Sequence, residues 1–588
     1  MPTSPVRLTD ACLLPGAWAH QSAWRVLEVS ADSADNFLHT WAAWRADAQR
    51  CRMLHYVVLV SHHTALTQAA GNAHPDLAVV LAQQTWGLLP GMHRLAFEAG
   101  QLLLTVCVGD AEAFLRQQAW AFDSIYSPET TANLFKPLAR CSAPNALLAV
   151  CASAPPPAKA LAECGFTTPA PFLKNTIWHC RYAPTWTPRT RRNSPSPTAA
   201  RCIVVGAGLS GASVAASLAR RGWQVTVLDA GEAPAAGASG LPVGLFEPNV
   251  AVDDNPVARI SRAGVRATWE LCTRLLQSGT EWLGSGVLEK RPPGQWGLPA
   301  RWRNASDTDH QPAADWGQVA SPEQAQAAGL AGDGLALHLH RAGWVKPAQL
   351  VRALLAQPGV HFQAHKPLQN LEQKNGLWQA LDANNAVISE AELIVVACGP
   401  ASNAVLETTG LTALPLTPVR GQLSWGMQPE SMHLPGQPVN GHGALIAQVP
   451  VDGGLAWHAG STFEHENLQL PVAPADQNSG HAANFQHLCD LLPRAAQALA
   501  PVFERGAPEL RHWAGVRCTV LDRHPLVGPV APSTHPGLWL CTGMGARGLS
   551  RAVLCGELLA ATLHSEPLPL EAKLAAAMAA DRFRAHRP

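Results

Sequence analysis

The chain of 588 residues has no excess of charge of either sign, since 43 Lys and Arg balance 43 Asp and Glu for a formal net charge of +0. A general basic field that draws in polynucleotides is thereby excluded, and any nucleic-acid contact has to come from a local patch. The fourteen cysteines include no Cys-x-x-Cys pair, which argues against a zinc ribbon or a small disulfide scaffold and leaves reduced, mostly buried thiols. No apolar run approaches the roughly 20 residues of a spanning helix. The N-terminal MPTSPVRLTD lacks the basic and apolar regions of a secretory signal. The expectation is a cytoplasmic protein that does not engage a membrane. The 24 histidines are not at ligand spacing: His62-His63 and His338-Leu-His340 stand without nearby Cys or carboxylate partners, so no metal site is expected. No repeat period is apparent, and length alone suggests three or four units of about 150 residues.

What is present is a complete dinucleotide-binding β-α-β unit from Arg201 to Asp229. Cys202 to Val205 reads as a short buried strand, followed by Gly206, Gly208 and Gly211 in Gly-x-Gly-x-x-Gly, an Ala-rich helix, and a second strand ending at Asp229. Gly206 suits the tight turn, Gly208 close approach of backbone N–H groups to a pyrophosphate, and Gly211 close helix-strand packing. Asp229, 23 residues after Gly206, is placed to hold a ribose hydroxyl. Ser239, Gly240 and Gly244 add small residues and backbone donors where a second phosphate or an isoalloxazine could pack. Far downstream, Gly543, Gly545, Gly548 and Leu549 form a second glycine-rich turn opening a helix.

Pro, Ser, Thr and Arg concentrate in 183–200, including Arg189, Arg191 and Arg192, and this stretch reads as a solvated linker. Residues 1–182 alternate strand-like and helical runs, as an α/β domain does. Residues 201–588 open a second α/β region. Its nucleotide-binding parts are expected at about 201–288, 390–415 and 510–588, interrupted by an α+β substrate part mainly at 289–389 and 416–509.

The two glycine-rich turns together resemble the FAD-dependent amine oxidases of the glycine and D-amino-acid oxidase group. Over nearly all of 201–588 the chain resembles the family of bifunctional tRNA 5-methylaminomethyl-2-thiouridine biosynthesis proteins. Several segments carry that resemblance: GASGLPVGLFEP, DDNPVARISRAG, Gly343-Trp344-Val345, TPVRGQLSW, GSTFEHE, RCTVLDRHPLVGPV and GMGARGL. Leu241 and Lys346 stand where Asn is common in it. The resemblance implies a Rossmann-type FAD domain with a substrate domain inserted, acting on a tRNA substrate. The reaction it implies is oxidation of a wobble-uridine carboxymethylaminomethyl group to aminomethyl with loss of glyoxylate. Arg517 is similar to the Arg that holds the substrate carboxylate in glycine-oxidase-like enzymes, a task a planar fork performs bidentately. Arg547 is a second candidate, as substrate ligand or flavin contact, and Arg420 and Gln422 are expected to line the flavin pocket.

In the same family the N-terminal domain is an S-adenosylmethionine-dependent methyltransferase, and residues 1–182 retain its outline in Asn36-Phe37-Leu38, Leu54-His55-Tyr56-Val57 and Glu163-Cys164-Gly165-Phe166. Where the family has a glycine-rich cofactor loop, this chain has Val29 to Asp35 without a glycine, and Val60 stands where an acid should hold the ribose. The expectation is a degenerate Rossmann-like methyltransferase domain that does not hold S-adenosylmethionine. The alternatives are an enzyme that keeps both activities, a small-molecule glycine or D-amino-acid oxidase, and a non-catalytic flavin-containing tRNA-binding module.

Overall fold

The computed structural model describes residues 7–583 except 68–73, 129–131, 173–176, 188–197, 293–296, 300–301, 303–306, 331, 333–334 and 506–508. Arg189, Arg191 and Arg192 lie outside the described residues. The chain divides into two compact units, one of Met1–Thr198 with Ala560–Ala575 and one of Ala199–Leu559 with Ala576–Pro588.

The first unit is built on an eight-stranded sheet. Its order is Gly91–Phe97, Leu102–Val108, Met53–Val60, Ala23–Glu28, Phe122–Ser127, Ser142–Cys151, Ile177–Arg181, Ala170–Phe172. The central strands are parallel and apolar almost throughout because both faces are covered. Tyr56, Val58 and Val60 pack on one face with Phe37, Trp41 and Trp44, while Val57 and Leu59 pack on the other with Phe122 and Ile125. Strand order reverses around Ala23–Glu28, so the carboxyl ends of that strand and Phe122–Ser127 form the crevice where such a sheet binds ligands. Residues 560–575 belong to this unit, whereas the sequence suggested nucleotide-binding structure for all of 510–588. Arg94 donates to the carbonyls of Pro567 (2.6 Å) and Leu568 (3.0 Å), and Glu571 accepts from Met92 N.

The second unit contains a six-stranded sheet in the order Val360–Gln363, Gln224–Leu228, Arg201–Val205, Leu393–Val396, Leu538–Thr542, Leu526–Pro529. A largely antiparallel eight-stranded sheet is also present. Its order is Gly317–Val319, Ala336–Leu339, Val287–Lys290, Val439–Gly441, Gly443–Val451, Gly454–Gly460, Leu416–Met427, Arg511–Val520. Two assignments move as a result. Val360–Gln363, read as substrate part, pairs in parallel with Gln224–Leu228 in the nucleotide sheet. Arg511–Val520, read as nucleotide part, pairs along its length with Leu416–Met427 in the antiparallel sheet.

The helix Leu209–Arg220 lies against Arg201–Val205 through small side chains. A Cβ on Gly211 would stand 1.9 Å from the Gly206 carbonyl oxygen. Alanine at 211 gains about 1 kcal/mol of helix propensity, but the overlap with backbone costs more, so Gly211→Ala should destabilise the unit by about 2 kcal/mol net. A denaturant titration of the whole protein checks this: the midpoint of the transition assigned to the second unit should fall at unchanged slope.

Candidate functional site

A cavity of about 490 Å³ opens at the carboxyl ends of the central strands of the six-stranded sheet, in the size range of cofactor sites. One end is the first glycine turn. Gly206 has φ +107°, and a Cβ there would meet the Ala397 carbonyl oxygen at 2.7 Å, so the turn requires glycine. Gly208 caps the helix Leu209–Arg220 and lines the cavity, and Ser239 Oγ accepts from Leu209 N at 2.9 Å, which ties the turn to the segment behind it. The Asp229 carboxylate, also on the wall, accepts from Ala207 N (2.6 Å) through Oδ2 and from Gly231 N (2.8 Å) through Oδ1. Each oxygen keeps a lone pair for a further donor.

The second glycine turn lines the same cavity. Gly543, Gly545, Gly548 and Leu549 line it, together with Gly244, whose Cβ would lie 2.8 Å from Leu549 Cδ1. Arg517 stands on the same wall. Its Nη1 donates to Ser461 Oγ (3.2 Å) and its Nη2 to the Thr462 carbonyl (2.7 Å). Burial pulls this guanidinium down to about 10, with Glu464 opposing the shift. It is thus a partly desolvated cation facing a cavity, with N–H donors to spare. Room for it comes from Gly421, where a Cβ would stand 2.3 Å from Arg517 Nη2.

The remaining candidates lie elsewhere. Gly211 and Gly240 do not line the cavity; both are points of close backbone approach, Gly240 to the Ala235 carbonyl oxygen. Arg547 is off the wall and pairs with the buried Glu247 at 3.5 Å, the ordinary ion pair that a charged turn residue makes. Arg420 and Gln422 do not reach the cavity either. Strand residues alternate between faces, and in the register Val419↔Arg517 and Gly421↔Gly515, Val419 and Gly421 share the face of Arg517. Arg420 and Gln422 therefore point the other way. Arg420 bonds Glu464, Asn467 and the Gln469 carbonyl, and Gln422 Nε2 donates to Glu464 at 2.8 Å. Two further histidines, His442, which meets His487 edge to face, and His524, beside Asp522, are also off the cavity wall.

Sequence reasoning missed Lys366, which follows the short strand Val360–Gln363, lines the cavity and donates its N–H to the Asp229 carbonyl. That four-residue strand, VHFQ, has too little apolar pattern to announce itself. Among the described residues no group of three or more His, Cys, Asp and Glu side chains could hold a metal, and no helix is long and apolar enough to cross a membrane.

In the first unit the corresponding crevice is differently furnished. Glu28, which ends the central strand, is buried and accepts from Asn36 Nδ2 (2.6 Å) and Tyr56 OH (2.6 Å), and burial raises it to about 7. In the following loop two N–H groups are bonded to neighbouring strands, that of Val29 to the Tyr126 carbonyl and that of Ala31 to the Leu59 carbonyl. Val60 is buried at the end of its strand.

Residues 201–562 match the FAD dependent oxidoreductase family, and residues 74–170 match a family described as S-adenosyl-L-methionine-dependent methyltransferase. Proteins named tRNA 5-methylaminomethyl-2-thiouridine biosynthesis bifunctional protein match the chain almost end to end. The one from Acidovorax sp. (strain JS42) is 44% identical over 98% of this chain and 94% of its own. The one from Paracidovorax citrulli (strain AAC00-1) is 45% identical over 98% and 94%. The chain belongs to this family. Among solved structures, L-proline dehydrogenase from P. horikoshii aligns with a TM-score of 0.50 over 67% of this chain and 100% of its own at 15% identity, a likeness of fold alone.

The cavity fits the FAD that the family implies. Gly206, Gly208 and the N-terminus of Leu209–Arg220 suit its diphosphate, Asp229 its adenosine ribose, and the turn at 543–549 its flavin end. Gly421→Ala tests the packing around Arg517. The atom displaced is the end of a flexible side chain, so the protein should fold and keep its flavin absorbance. Affinity for acetate, read by perturbation of the flavin spectrum, should fall about tenfold as the guanidinium loses its place.

Proposed function

We propose that the second unit oxidises the carboxymethylaminomethyl group of a tRNA wobble uridine to aminomethyl and releases glyoxylate, working in the cytoplasm where tRNA is found. The observation that carries this is a desolvated arginine, Arg517, on the wall of the cavity that also holds the dinucleotide cradle. The names of relatives at 44 and 45% identity support tRNA as the substrate. When bound, FAD supplies the acceptor for a hydride from the carbon beside the substrate carboxylate.

The chain's own residues supply position. Arg517 holds the carboxylate by charge-assisted hydrogen bonds, and the Ser461 hydroxyl and Thr462 carbonyl fix the guanidinium plane. With one end of a short substrate anchored, the carbon to be oxidised is confined near the second glycine turn, which is the main contribution a protein makes to such a step. Loss of the hydride and of the amine proton leaves a C=N bond, and water adds across it to give the primary amine and glyoxylate. No nucleophilic side chain is needed. Arg517→Lys keeps the charge but loses the fork, so kcat/KM for the modified tRNA should fall about a hundredfold with flavin content unchanged.

The methylating half is proposed to be lost, the first unit persisting as a scaffold or tRNA-docking surface. Support comes from the glycine-free loop, whose N–H groups at Val29 and Ala31 are already bonded, and from the absence of an acid at Val60. The full-length protein incubated with tRNA bearing 5-carboxymethylaminomethyl-2-thiouridine, with and without S-adenosylmethionine, decides both points by nucleoside mass spectrometry. The expected product is aminomethyl in both tubes. Methylaminomethyl formed only with S-adenosylmethionine would establish the fully bifunctional enzyme, and unchanged nucleoside together with turnover of sarcosine would establish the small-molecule oxidase.

A further inference from the structure

Beside Arg517 on the cavity wall stands an aromatic ring that the reaction as described does not use. Phe463 follows Thr462, the carbonyl partner of Arg517, and its ring centroid lies 4.3 Å from the Arg517 guanidinium carbon. It is nevertheless 63% exposed. A phenyl ring left in water forgoes most of the stabilisation its burial would give, so its position calls for a reason outside the folding of this segment. The segment does not depend on Phe463 for its anchorage, because Arg420, 1% exposed, clasps it from beneath through Glu464, Asn467 and the Gln469 carbonyl. The ring is thus held against the guanidinium of a cavity-wall residue, with most of its surface open.

We propose that Phe463 is the platform on which the uracil base of the reacting nucleotide stacks while Arg517 grips the carboxylate at the end of that nucleotide's side arm. The inference rests on the reading of Arg517 as the anchor of an N-alkylglycine carboxylate. A carboxylate carbon in a bidentate pair lies about 4 Å from the guanidinium carbon. The arm from that carbon to the uracil ring is a short run of single bonds, about 5 Å long when extended. The base therefore has to lie close to Arg517 and, since the carbon to be oxidised points into the cavity, on its outer side. Phe463 stands against Arg517 with most of its surface open to a partner, and a base stacking on it would sit at the roughly 4.5–7 Å over which offset aromatic planes attract. A stacking contact also suits a chain with net charge +0, because it needs no general basic field. Free glycine and sarcosine present the carboxylate and amine but no ring, so the contact separates a nucleotide substrate from them.

The test is steady-state kinetics of the full-length, flavin-loaded protein on the modified tRNA, together with acetate binding read from the flavin spectrum. Phe463→Ala should raise KM for the tRNA about tenfold, as loss of one stacked base does, and leave kcat within about twofold and acetate affinity unchanged. Phe463→Tyr should restore KM; Phe463→Leu, which keeps apolar bulk without a π face, should not. An unchanged tRNA KM in Phe463→Ala overturns the proposal. So does an equal loss of acetate and tRNA affinity, which would mean that the ring serves only to seat Arg517. If the wild-type protein binds acetate at its flavin but leaves the tRNA untouched, the reading of the reaction itself fails and the proposal with it, a result distinct from the other two.

Discussion

The cavity of the second unit depends on backbones crossing where no Cβ can stand. Gly211 in Leu209–Arg220 meets the Gly206 carbonyl, and Gly264 in the helix Pro256–Leu275 meets the Ser550 carbonyl; in both a methyl would lie 1.9 Å from oxygen. Gly556 in the helix Ala552–Leu563 crosses Ser213, with its missing Cβ 2.6 Å from that residue's carbonyl carbon. These contacts lock three helices, and with them both glycine-rich turns, at a fixed separation. Each glycine forgoes about 1 kcal/mol of helix propensity. The return is dense van der Waals contact between main chains and two glycine-rich turns that line the same cavity.

That constraint explains which parts of the site were legible in the sequence. The strand, turn, helix and terminal acid at 201–229 are local and strongly patterned, and the structure brings Gly206, Gly208 and Asp229 to one wall. The second turn is a recognisable glycine cluster, but only the fold brings it to the same cavity as the first. Arg420 and Gln422 were misread because a motif read as a string hides the alternation of a strand. In TPVRGQLSW the residue that faces the cavity side is the glycine between them, and its role is to leave space for an arginine almost a hundred residues later. Lys366 and Phe463 carried no local signal, since their places follow from sheet order and from a loop pinned by a buried cation on another strand.

On the proposed loss of methylation, the first unit gives up a binding edge while its fold persists. Its sheet keeps a buried parallel centre and a topological switch, because these depend on apolar residues that also make the core. A cofactor loop depends on backbone left exposed at a strand end, which adds nothing to the core. With the Val29 and Ala31 N–H groups bonded to the Tyr126 and Leu59 carbonyls and Glu28 turned inward to Asn36 and Tyr56, these groups are satisfied within the fold. Stability then exerts no pull towards restoring glycine.

On the proposed reaction, the arrangement around Arg517 governs release as well as recognition. A guanidinium partly stripped of water is costly to leave unpaired, so a uridine without the carboxymethyl arm is rejected by the group it fails to satisfy. The substrate supplies the missing anion. Once the C=N bond is hydrolysed, the carboxylate leaves as glyoxylate and the tRNA keeps an aminomethyl group that is cationic at neutral pH. The product then sets one positive charge beside another in a site of low polarity, with only base stacking and distant contacts to hold it. The interaction that selects the substrate is therefore removed by the chemistry itself, and turnover requires no separate device to expel the tRNA.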